Sequence, residues 1–163
     1  MSDRLATYLN DHMAGAGVAI ELLKAMKERH DDESLSEFAA SILVEVEEDE
    51  ETLRSFAKKI GSGSNVFKEA AAWLTEKTSR LKLGASSSGD FGTFEALEFL
   101  SLGIQGKLSL WAALQQVAES DARLTELDFE KLIGRAKAQY GRVEERRLSL
   151  AANALSPNHP DVR

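Results

Sequence analysis

The sequence predicts an all-α fold, and three features of its 163 residues carry that prediction. The two prolines are Pro157 and Pro160, so no pyrrolidine ring interrupts a helix before them. Apolar residues recur at steps of three and four over stretches of about 25 residues, the signature of one buried helix face. Glycine and serine clusters separate these stretches where strands would show strict alternation.

The first stretch, from about Leu5 to Arg29, places Leu5, Leu9, His12, Ala16, Ala19, Ile20, Leu23 and Met26 on one face. A short link through Asp31 and Asp32 leads to Ser34, which with Glu37 forms a capping box for the second stretch. There Leu35, Ala39, Ile42, Val46, Leu53, Phe56, Ala57 and Ile60 share a face up to Gly61. A link this short forces an antiparallel pair. A shorter crossover helix is expected over residues 66–83, capped by Ser64 or Asn65 and carrying Phe67, Trp73 and Leu74.

After the linker Ser86 to Gly89, Thr93 opens the third stretch, which carries Leu97, Leu100, Ile104, Leu108, Trp111 and Leu114 to about Glu119. The fourth spans about Asp128 to Leu155, with Phe129, Leu132, Ile133, Ala136, Tyr140, Val143, Leu150 and Ala154. Gly61, Gly84, Gly89 and Gly92 read as segment ends. One helical domain is therefore expected over residues 1–155, followed by a mobile tail, 156–163.

Connections that run short, long, short describe a four-helix bundle whose middle connection returns the chain in a parallel sense. This topology resembles the ferritin-like superfamily, an up-down four-helix bundle, here with an additional short crossover helix. The resemblance covers the four long stretches and rests on their order and connections. In the di-iron members of that superfamily, two helices each give a Glu and two others each give Glu-x-x-His. The histidines here are His12, His30 and His159, preceded three positions earlier by Leu9, Lys27 and Ser156. No standard di-iron centre is expected, and with it no cofactor.

Polar residues nevertheless fall where helical spacing predicts core. His12 lies between Leu9 and Ala16, Asp49 between Val46 and Leu53, with Glu50 beside it; Lys107 adjoins Ile104 and Leu108, while Gln139 and Tyr140 flank the line from Ala136 to Val143. Antiparallel partners have nearly constant index sums, which sets Lys107 opposite position 139. Parallel alignment of the second and third stretches sets Asp49 opposite 107 or 108. The expectation is one buried polar layer or ligand site at mid-height, formed by His12, Asp49, Glu50, Lys107, Gln139 and Tyr140. Within it the Lys107 ammonium supplies the positive charge that a metal supplies in ferritin-like enzymes, with Asp49 and His12 as its main partners.

The competing reading is a non-standard iron or manganese site built from His12, Glu45, Asp49 and Glu50, with Gln139 or Glu144 from the fourth stretch. One imidazole among several carboxylates suits those ions better than zinc. A third reading is a small-ligand site beside His12, Trp111 and Tyr140. Gly103 and Gly106 belong to another stripe, with Phe99, Leu102, Leu110 and Ala113, expected to face away from the core and admit the crossover helix or a second subunit closely.

Composition narrows the rest. Twenty-seven acidic residues against twenty basic ones give a net charge of −7 without a segregated basic stripe, which argues against a nucleic-acid partner. The absence of cysteine removes thiolate chemistry and Cys-ligated metal sites. Glu95, Glu98 and Lys107 interrupt the most apolar helix, so no membrane span is expected. The opening Met-Ser-Asp-Arg lacks a basic head before an apolar run, and a cytoplasmic location is the expectation. The classes in play are a structural, interaction or stress-related bundle, with a homodimer as the expected assembly; a metal-binding protein or oxidoreductase; and a small-ligand binder.

Overall fold

A computed structural model describes residues 4–61, 79, 81–86 and 89–156. The fold is all-α, with no strand among those residues. Four long helices carry it: α1, Arg4–Lys27; α2, Glu33–Lys59; α3, Asp90–Ala118; and α4, Phe129–Leu155. A 3₁₀ turn, Ala122–Leu124, joins α3 to α4, and residues 81–86 are also helical. The remainder of the expected crossover helix and the tail from 157 onward lie outside the described residues.

Side-chain bonds fix the directions of the helices. Arg135 of α4 reaches Asp49 of α2, whereas Arg146, three turns further along α4, reaches back to Ser34 at the start of α2. These two helices are therefore antiparallel. Within the α3–α4 hairpin, Ser101 donates to Glu144 and Lys107 to Gln139, so that pair is antiparallel too. It follows that α2 and α3 run parallel.

The helix ends depart from the expected caps. The cap of α2 is Asp32, not Ser34: the Asp32 carboxylate accepts from the Leu35 N–H at 2.9 Å. A carboxylate is the better partner for the positive end of the helix, and it frees the Ser34 hydroxyl to accept from Arg146 at 3.0 Å. Likewise α3 begins at Asp90, before Thr93. Thr93 is buried, and its hydroxyl accepts from Arg29 at 3.2 Å. Arg29 also donates to the Ala85 carbonyl and the Asp31 carboxylate, tying the end of α1 to residues 81–86 and to the start of α3. Gly61 adopts φ of 78°, and its N–H bonds the Lys58 carbonyl at 3.1 Å, which ends α2 in the left-handed conformation open to glycine.

Gly84 and Gly92 do more than mark segment ends. A Cβ on Gly92 would stand 2.6 Å from the Gly84 carbonyl oxygen and 2.7 Å from its Cα. The backbones of residues 81–86 and the first turn of α3 meet where neither has a side chain.

The buried apolar residues form two clusters along the bundle. One gathers Leu22, Leu23, Ile42, Val46, Leu100, Ile104 and Val143; the other gathers Leu9, Met13, Leu53, Leu110, Trp111, Leu114 and Ala136. On α2 the break falls between Val46 and Leu53, on α3 between Ile104 and Leu110, on α4 between Ala136 and Val143, and on α1 between Met13 and Val18. Asp49, Lys107 and Gln139 occupy the break on three helices. On α1 it is occupied by Gly15 and Ala16, which leave space.

Candidate functional site

The break between the clusters is where charge enters the core. Lys107 Nζ donates to Asp49 Oδ2 at 2.5 Å and also to Gln139 Oε1. The Gln139 amide in turn donates to Glu45 Oε2 at 3.1 Å and to Asp49 Oδ2 at 3.3 Å. The amide carbonyl thus meets the donor and the NH2 meets the carboxylates, which uses both ends of the side chain correctly. Asp49 is 2% exposed and Gln139 0%. Carboxylates this deep are rare unless paired and hydrogen-bonded, and both conditions hold here.

The second cation on Asp49 is Arg135. Its guanidinium donates to Asp49 Oδ1 and, at 2.6 Å, to Glu48 Oε2. Further along the same face of α4, Arg142 donates to Glu45 Oε1 at 2.6 Å and to the Ser41 hydroxyl at 2.9 Å. Arg135, Gln139, Arg142 and Arg146 lie at helical steps, so α4 presents a ladder of donors to the acceptors of α2. Sequence reading missed Arg135 because an arginine beside an apolar stripe looks like solvent-facing surface. Its spacing from Gln139, one turn away, was the available signal.

Electrostatics follow from burial and these partners. Burial pushes the Lys107 ammonium down from its ordinary range, and Asp49 offsets only part of that. For Glu45, burial pulls upward, yet hydrogen bonds from Arg142 and Gln139 hold its carboxyl below the usual range. Glu144 is likewise held low, chiefly by the hydrogen bond from Arg147.

The other expected members stand apart from this layer. Tyr140 is 36% exposed, because neighbouring positions on a helix point about 100° apart and Gln139 takes the inward direction. Glu50 is buried, but its carboxylate accepts from Arg54 Nε at 3.0 Å, one turn along the same helix. His12 makes no hydrogen bond to Asp49 or Lys107 among the described residues. Its ring meets Tyr8 edge-on, with centroids 4.7 Å apart. The main partners of Lys107 are thus Asp49 and Gln139, and His12 is replaced in that role.

The carboxylates of the iron or manganese alternative do not converge either. Glu45 faces Arg142, Asp49 faces Lys107 and Arg135, Glu50 faces Arg54, and Glu144 faces Arg147 and Ser101. Among the described residues no group of three or more His, Asp or Glu is arranged to hold a metal ion. Each of these carboxylates accepts from a cation of the protein itself.

Beside the layer, between α1, α2 and α3, lies a cavity of about 220 Å³. His12, Gly15, Asp49, Gly106, Lys107 and Trp111 contribute to its wall. Gly103 and Gly106 border this cavity, and most of the crossover helix expected to pack on them lies outside the described residues. A methyl group on either would meet nothing within 4 Å among the described residues, and Leu110 of the same stripe is buried in the core.

Burial also lowers the His12 imidazole below its ordinary value of 6.5, against a smaller opposing pull from Asp11. The unfolded chain then binds more protons than the folded one between that lowered value and 6.5, so stability falls as pH drops through this window. Thermal melts from about pH 8 to about pH 5 should show wild type losing stability relative to His12→Phe once the pH is below that ordinary value. Parallel curves would contradict the burial of His12.

Among the described residues, no helix is long and apolar enough to cross a membrane. No protein-family model, curated protein or solved structure matches this chain.

Proposed function

We propose that this chain is a ferritin-like bundle that operates without a standard di-iron centre, as a structural, interaction or stress-related protein in which a buried polar layer sets the packing of the helices. The observation that carries this reading is the Lys107 ammonium, which donates to Asp49 and Gln139 at mid-height, the level at which ferritin-like enzymes hold metal. A buried polar group with few ways to be satisfied fixes register, because any slip of one helix strands it. Here the layer joins three helices at one level and separates two apolar clusters that could otherwise slide past each other. Self-association is the interaction this reading favours, since Leu102 and Val117 on α3 and Leu148 on α4 leave apolar surface exposed.

Metal loading tests it. Protein incubated anaerobically with Fe(II), and separately with Mn(II), then freed of unbound ion, should carry no stoichiometric metal and should melt where the untreated protein does. A ligand that binds only the folded state raises its melting temperature. One bound ion per chain together with a raised midpoint would overturn the reading.

A further inference from the structure

The cavity beside the layer has a lining whose hydrogen-bonding capacity is unevenly used. Trp111 is 1% exposed, and its indole N–H meets no acceptor among the described residues. An unpaired buried donor is costly, and native structures rarely keep one without a reason. Lys107 is the second donor in the wall. Its ammonium carries three N–H groups and uses two, on Asp49 and Gln139. Of the acceptors in the wall, Asp49 is engaged by Lys107, Arg135 and Gln139, and Glu50 by Arg54, while Asp11 is exposed. None of them, nor the His12 ring, accepts from the Trp111 N–H.

Its other surfaces are apolar or bare. Ala16, Ala19, Val46, Ile104 and Leu110 contribute hydrocarbon, and Gly15, Gly103 and Gly106 leave space that no described side chain fills. Asp11, Gly15 and Gly103 are exposed, which places an entrance on the α1–α3 side. At about 220 Å³ the space exceeds the ~150 Å³ of an engineered apolar cavity that takes up benzene. A substituted ring fits such a volume. Charge also constrains the occupant: Lys107, Arg135 and Arg54 balance Asp49 and Glu50, and the remaining charge in the wall is the carboxylate of Asp11, so an anion is disfavoured.

We infer that this cavity is a binding site for a small, neutral, one-ring or two-ring molecule bearing a carbonyl-type acceptor, which takes the hydrogen bond of the Trp111 indole N–H while its ring fills the space left by Gly15, Gly103 and Gly106. The inference stands apart from the metal-free reading, since it needs only the cavity and its unpaired donor.

Acetophenone is a suitable probe and ethylbenzene its control, because the two have similar shape and only the first offers an acceptor. The Trp111 indole N–H resonance is identified as the one lost in Trp111→Phe, the other tryptophan being Trp73. On titration with acetophenone this resonance should move downfield and saturate. Ethylbenzene should bind about tenfold more weakly, the loss expected when a buried donor stays unpaired. Gly106→Leu and, on the opposite wall, Gly15→Met should each abolish acetophenone binding; either variant alone suffices if the other fails to fold. A Trp111 resonance unmoved by acetophenone up to its solubility limit would overturn the inference. So would equal affinity for the two compounds, or binding that survives in a folded cavity-filling variant.

Discussion

Replacing Lys107 by Met should lower the stability of the folded protein by about 2 to 3 kcal/mol, the low end of what breaking a buried ion pair costs. Methionine keeps most of the stem volume and removes the ammonium, so cavity formation contributes little. The loss arises because Asp49, 2% exposed, surrenders its hydrogen bond to α3 while remaining in the core. Arg135 and Gln139 still donate to it, which keeps the effect below that of a fully stranded carboxylate. Chemical denaturation of the two proteins measures the difference directly.

This destabilisation coexists with an ammonium held at a net electrostatic cost. Burial lowers Lys107 from its ordinary value of 10.5, so between the lowered value and 10.5 the unfolded chain binds more protons than the folded one. Stability of wild type relative to Lys107→Met should therefore rise with pH through that window. The pair is present despite its desolvation, consistent with a role in register more than in raw stability.

The second large effect concerns backbone contact. Alanine normally stabilises a helix relative to glycine by about 1 kcal/mol, yet Gly92→Ala should destabilise this protein by about 1 to 3 kcal/mol. The new methyl group would stand 2.6 Å from the Gly84 carbonyl oxygen, and backbone cannot swing away as a side-chain tip can. The cost falls on the junction between residues 81–86 and α3, which the Arg29 guanidinium also clamps. Gly103→Ala meets nothing within 4 Å among the described residues and should instead be neutral or stabilising. Equal effects at the two glycines would show that residues 81–86 do not rest on α3 as described.

The long helices were legible because each has one apolar face with regular spacing and no proline, and periodicity reports that directly. Index sums across antiparallel pairs also brought out the level shared by Asp49, Lys107 and Gln139. Spacing could not decide between Gln139 and Tyr140, since both continue the line from Ala136 to Val143 within tolerance; the arginine ladder toward α2 sets the rotation of α4. Arg135 escaped notice because a long side chain can root outside the core and still deliver its guanidinium to a buried carboxylate. Gly92 read as punctuation, yet it lets the first turn of α3 meet the Gly84 backbone. A glycine that fills a gap, one that leaves a gap and one that ends a segment look alike until the neighbouring backbone is placed.

The most direct test of the charge layer is a double-mutant cycle between Lys107→Met and Asp49→Leu. Asp49→Leu alone strands the ammonium, Lys107→Met alone weakens the support of the carboxylate, and the double variant leaves neither charge without the other. If the two side chains neutralise each other inside the bundle, the double variant should be more stable than the sum of the single losses predicts, with a coupling of about 2 kcal/mol. Single losses that add to within about 0.5 kcal/mol would mean that the two charges act independently, and would contradict the account.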